Sequence, residues 1–109
     1  MCHQPTLKTG PNTVAALNEV EFHPFSDFLL HDMGSLGDGI EQGRAKGQEM
    51  RTAPLWGIRV RTLYLHDGRA TTLEGAIVAH DGQGQHARQQ YMKLSRPEID
   101  SVIAFLNSL

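Results

Sequence analysis

The sequence predicts an all-α fold with long loops, and three observations predict it. Residues 71–109 place apolar residues at helical spacing behind two capping signals. No segment alternates convincingly as a strand. A glycine-rich stretch, GSLGDGIEQGRAKG, breaks up the middle of the chain. The 109 residues leave room for one domain, taken as 1–109.

Residues 1–20 are polar, with turn signals at Gln4-Pro5 and Gly10-Pro11-Asn12. Residues 21–70 are irregular. Within them PFSDFLLHDM reads as a short helix, Trp56 as a large core residue, and Ile58 to Leu65 alternates weakly before the turn signal His66-Asp67-Gly68. Thr71 and Glu74 form a predicted capping box, each side chain satisfying a backbone N–H at the helix start. Leu73, Ala76, Ile77 and His80 follow at i, i+3, i+4 and i+7, which turns His80 inward with the apolar stripe. Asp81-Gly82 ends that helix, and a second is expected over about 83–93. Ser95-Arg96-Pro97-Glu98 is a second capping box with proline in the first turn. Ile99, Val102, Ile103 and Leu106 share one face of the last helix, and Leu109 continues it.

Composition narrows the function classes. Apolar residues at 39 % and charged residues at 20 % suit a folded chain. The balance of 10 basic and 12 acidic side chains gives −2, so there is no basic field for nucleic acid or an anionic membrane. No apolar run is long enough for a transmembrane helix, and MCHQPTLKTG lacks the basic start and apolar stretch of a signal peptide. One cysteine excludes an internal disulfide. Six histidines are many for this length, while eleven glycines and 6 % aromatics imply a thin core. Something other than side chains is expected to fill part of the interior.

Two signals carry chemistry. Cys2-His3 has the last two residues of the C-x-x-C-H haem-attachment motif, in which a thiolate adds to a vinyl group and the histidine ligates iron. The bland reading is a chance pair in a loose terminus. His80 is either a core histidine bonded to a carbonyl or a ligand from a helix across the iron from His3. Two imidazoles would give six-coordinate, low-spin iron suited to electron transfer. His31 and Met33 are alternative soft ligands, although methionine more often packs. Arg51 has the chemistry to pair with a propionate, and His66 either bonds the turn or faces a cofactor. His23 and His86 read as surface residues. Positions 3, 23, 31, 66, 80 and 86 contain no H-x-x-x-H pair, which argues against a zinc site. Ser/His/Asp, phosphate-loop and C-x-x-C signatures are also missing.

In order, CHQPTLKTG, PFSDFLLHDMG, RTAPLWG, YLHDGRATTLEGAIVAHDG and LSRPEIDSVIAFLNSL span nearly the whole chain. Together they resemble the C-terminal haem domain of di-haem oxidoreductases, also called thiol-oxidoreductase-like proteins, which are relatives of bacterial di-haem cytochrome c peroxidase and MauG. The resemblance implies a cytochrome c-like, all-α haem domain with long loops. It makes Cys2 a thioether residue and His3 the proximal ligand. In the relatives a ligand of the C-terminal haem, methionine or tyrosine, lies fourteen residues after the histidine of the H-D-G turn; counted from His66 this position is His80. The resemblance also brings Arg51 near the haem and has His66 and Asp67 shape the adjoining loop.

The implied function is electron transfer by one haem c, held through at most one thioether at Cys2. An electron-donor protein and a second haem domain of the parent protein are the implied partners, and the periplasm the implied compartment. Three departures from the pattern stand out: the first attachment cysteine is missing, a second haem motif is missing, and Arg61-Thr62-Leu63 replaces the T-x-P that accompanies an interdomain calcium ion. The expectation is a fragment in which Met1 is an internal residue of C-x-M-C-H, with no catalytic site of its own. A haem-free helical interaction module is the alternative. Haem, by filling a thin core, is expected to stabilise the chain.

Overall fold

The computed structural model describes residues 1–109. The chain forms two compact units, Met1–Leu29 with Arg51–Trp56 and Leu30–Met50 with Gly57–Leu109.

The first unit is held by polar groups. Strand β1 (Leu7–Lys8) pairs antiparallel with β2 (Glu21–Phe22), Leu7 opposite Phe22 and Lys8 opposite Glu21. The intervening loop is closed by short polar side chains that replace backbone partners. Asn12 Oδ1 accepts from the Val14 N–H at 2.8 Å, Asn18 Oδ1 from the Asn12 N–H at 2.9 Å, and Thr9 Oγ1 donates to the Leu17 carbonyl at 2.7 Å. Pro24, Ser26 and Thr52 are buried. Trp56 is not a core residue as expected. It is 56 % exposed, and its indole N–H is anchored on the His23 carbonyl at 2.7 Å. An indole needs a partner for its one donor, and here that partner lies at the surface.

The second unit carries the apolar core, Leu36, Ala70, Leu73 and Ala76. The other sheet pairs β3 (Leu30–Asp32) with β4 (Glu49–Arg51). A 3₁₀ turn covers Gly34–Leu36 and another Ile58–Val60. The His66-Asp67-Gly68 turn is closed by a bridge between Tyr64 and Ala70, with Gly68 at φ +72°. Helix α1 (Leu73–Ala79), a 3₁₀ turn at Gly82–Gly84, α2 (Gln85–Tyr91) and α3 (Arg96–Leu106) complete it. The Ser95/Glu98 capping box forms as the sequence predicts, and Ile99, Val102, Ile103 and Leu106 are all half-buried on α3. No helix is long and apolar enough to cross a membrane.

The all-α expectation is wrong. The chain is 34 % helical and 13 % strand, with two small antiparallel sheets. Strands of two or three residues are too short to show a period of two, so pattern reading passes over them. PFSDFLLHDM does not become helical: Phe25 and Phe28 adopt φ +50° and +57°, outside the right-handed helix, and Leu30–Asp32 pairs as a strand. The cap of α1 is Thr72 rather than Thr71, its hydroxyl accepting from the Gly75 N–H at 2.9 Å. Glu74 instead meets Arg96 at 3.3 Å.

Candidate functional site

In the first unit Cys2 is a free, half-buried thiol and His3 is half-buried beside it. The Cys2 carbonyl accepts from the Gln4 N–H at 2.9 Å and the Asp27 N–H at 2.8 Å. His3 Nδ1 lies 2.8 Å from the Phe25 carbonyl oxygen. A carbonyl only accepts, so Nδ1 carries the proton and, in the neutral ring, the lone pair sits on Nε2.

In the second unit His80 is the C-cap of α1. Its Nδ1 lies 2.7 Å from the Ala76 carbonyl, one of the helix-end carbonyls that the helix itself leaves unpaired. Here too Nε2 carries the lone pair. The ring is half-buried, as the apolar periodicity predicted. Gly84 supports it from the following turn: a Cβ there would sit 3.2 Å from His80 Cβ, 3.4 Å from His80 Cδ2 and 3.3 Å from Met33 Cε. Met33 and His80 therefore both lie against Gly84.

The other histidines are placed differently. His31 donates from Nδ1 to Gln83 Oε1 at 3.1 Å, His23 pairs with Thr6 Oγ1 at 2.9 Å, and His86 is 3.3 Å from Gln90 Nε2. His23 and His86 are exposed, as expected.

Residues 1–109 match the family described as "Di-haem oxidoreductase, putative peroxidase". The chain belongs to this di-haem oxidoreductase family. No curated protein and no solved structure matches it. Haem is the cofactor that the family name implies.

In this di-haem oxidoreductase chain, His3 and His80 each present an Nε2 lone pair of the kind that iron accepts. Histidines that ligate metals commonly donate the other ring N–H to a carbonyl, which fixes tautomer and ring orientation and raises basicity. His3 and His80 both do so. A purely structural histidine would make the same bond, so the function rests on this geometry together with the family. Covalent attachment has one available thiol, Cys2.

Arg51 is exposed at the end of β4, and His66 is exposed in the Leu65–Gly68 turn. That turn is set by its neighbours: Asp67 accepts from the Arg69 backbone N–H at 3.1 Å and from the Arg69 guanidinium. Desolvation pushes the Asp67 carboxyl up, but these Arg69 contacts outweigh it and hold it below its ordinary value. Asp81, next to His80, is also held below it. The Ser35 hydroxyl contributes most, followed by the Ser35 and Gly82 backbone N–H groups.

Sequence reasoning singled out both histidines but not what holds them. The Phe25 carbonyl is 22 residues from His3 and has no sequence signature. For His80 the sequence offers a carbonyl-bonded core histidine as one of two readings, without naming the carbonyl, which is that of Ala76.

Proposed function

We propose that this chain binds one haem c and transfers electrons within a di-haem oxidoreductase. His3 and His80 would hold its iron through Nε2, and Cys2 would supply the single thioether. Arg51 would pair with a propionate of the haem, and His66 would face its edge. The haem, when bound, supplies reversible one-electron Fe(III)/Fe(II) exchange. The observation that carries the reading is the Nδ1 bond of each histidine to a main-chain carbonyl, in a chain matched over residues 1–109 by a di-haem family.

The protein's own part is to hold and tune. The Phe25 and Ala76 carbonyls keep the Nδ1 protons and make both imidazoles stronger donors. Held by two imidazoles, the iron would serve electron transfer, and peroxide chemistry would fall to another haem, with a donor protein supplying electrons. Such a protein works in the periplasm.

The test is spectroscopic. The full chain, expressed with a c-type haem maturation system, should show a low-spin Soret band and retain its haem under denaturation through Cys2. Cys2→Ser should lose the covalent link. A colourless, correctly matured sample refutes the reading.

A further inference from the structure

Ser26 is fully buried, and both its backbone N–H and its hydroxyl are hydrogen-bonded. Its backbone N–H donates to the Gln4 carbonyl at 2.9 Å. Its hydroxyl donates to the Thr52 carbonyl at 2.8 Å and accepts from the Phe28 N–H at 2.9 Å. Its neighbours are bent to fit. Phe25 at φ +50° and Phe28 at φ +57° occupy the left-handed region, which is strained for a bulky residue and survives only where the surroundings over-determine it.

The consequence falls on Cys2-His3-Gln4. The Phe25 carbonyl takes the His3 Nδ1 proton, the Ser26 N–H holds Gln4, and the Asp27 N–H holds the Cys2 carbonyl. Three successive residues of one loop thus clasp three successive residues of the ligand strip. The left-handed turn at Phe25 presents its carbonyl to the imidazole, and Ser26 is the residue whose side chain fastens that turn to Thr52.

We propose that Ser26 is a positioning residue for His3: its buried hydroxyl locks the strained Phe25–Phe28 loop so that the Phe25 carbonyl fixes His3 as the Nδ1–H tautomer, with Nε2 aimed as the donor atom. This deepens the haem reading and rests on it for its consequence, but the tautomer itself is set by the polypeptide. Removing the hydroxyl strands the Thr52 carbonyl and the Phe28 N–H, and relaxes the loop toward ordinary φ values. The Phe25 carbonyl then turns away. His3 loses its tautomer preference and, with haem bound, becomes a weaker donor to iron.

The experiment reads imidazole nitrogen shifts by NMR in the full chain without haem, for the natural sequence, Ser26→Ala, Ser26→Thr and Leu36→Ala. The natural sequence should show His3 as Nδ1–H. Ser26→Ala should lose that preference, and Ser26→Thr, which keeps the hydroxyl, should regain part of it. Leu36→Ala, which destabilises the second unit, should leave it unchanged. In matured protein, Ser26→Ala should shift the midpoint potential upward, because a poorer imidazole donor favours Fe(II). The role is overturned if Ser26→Ala keeps the Nδ1–H signature, or if His3 shows no preference in the natural sequence. A colourless chain with the expected tautomers refutes haem binding alone; a coloured chain whose tautomer ignores Ser26 refutes the positioning role alone.

Discussion

Asp81 Oδ2 lies 2.7 Å from the Ser35 hydroxyl and 3.2 Å from the Ser35 backbone nitrogen, joining the turn after His80 to the 3₁₀ turn at Gly34–Leu36. Both groups donate to the carboxylate, so they stabilise its ionised form and lower its pKa below 3.8. A carboxyl with a lowered folded pKa contributes stability above its unfolded value, and that contribution is lost as pH falls through the folded value. Ser35→Ala should raise the Asp81 pKa toward the ordinary value. The stability gap between the natural chain and Ser35→Ala should be full near neutrality and narrow below about pH 4. Acid titration of Asp81 by NMR with parallel melts checks both.

Gly82 tests the same junction sterically. It sits at φ +53°, and a Cβ there would lie 2.4 Å from the Asp32 carbonyl oxygen and 2.7 Å from the Gly34 nitrogen. Both are main-chain atoms, so relief requires the backbone to shift. Gly82→Ala should therefore cost about 2 kcal/mol or more, from strain and overpacking together. Gly10, with nothing within 4 Å of a built Cβ, is the control, and Gly10→Ala should change stability by no more than about 0.5 kcal/mol. Equal effects in denaturant melts would contradict the packing described around Asp32.

The cap of α1 separates the sequence reading from the structure. Thr71 and Thr72 both precede an apolar stripe, and the sequence pairs Thr71 with Glu74, whereas Thr72 binds the Gly75 N–H. Thr72→Ala should cost about 1 kcal/mol and Thr71→Ala close to nothing. The reverse order would restore the sequence assignment.

Periodicity made α1 and α3 legible, because their apolar residues fall on one face and sharp capping residues bound them. It also turns His80 toward the apolar stripe, and the residue is half-buried. The β1–β2 and β3–β4 pairs were not legible, since two or three residues carry no readable alternation. Phe25 and Phe28 misled in a specific way. Apolar residues three apart suggest a helix, while positive φ at both is a tertiary outcome imposed through Ser26 and Thr52. Trp56 misled because size suggests burial, yet one long-range bond to the His23 carbonyl keeps the indole at the surface. For the site, the residue types and the His66-to-His80 spacing were readable, while the carbonyls that orient His3 and His80 belong to the fold.

Tyr91 offers a stabilising substitution. Its hydroxyl is buried without a hydrogen-bond partner, and burial, with the nearby Glu74 charge, raises its pKa above 10.0. An unsatisfied buried hydroxyl costs of order 1–3 kcal/mol. Tyr91→Phe removes that penalty and keeps the ring, so it should stabilise the chain by about 1 kcal/mol. A thermal melt that falls instead would mean the hydroxyl has a partner in solution.

His80 and Met33 both lie against Gly84, so the proposed iron ligand from this part of the chain has two candidates. The imidazole is oriented by the Ala76 carbonyl, whereas a thioether has no N–H to be anchored in this way. In matured protein, His80→Ala should convert low-spin iron to high-spin and admit exogenous imidazole or cyanide. Met33→Ala should leave the spectrum nearly unchanged, losing only packing against Gly84. Absorption and EPR spectra of the two variants decide it. A large change on Met33→Ala with none on His80→Ala would make the thioether the ligand and reduce His80 to a helix-capping residue. That outcome would also break the tie to His66, because the fourteen-residue spacing would then end on a residue without a role at the metal.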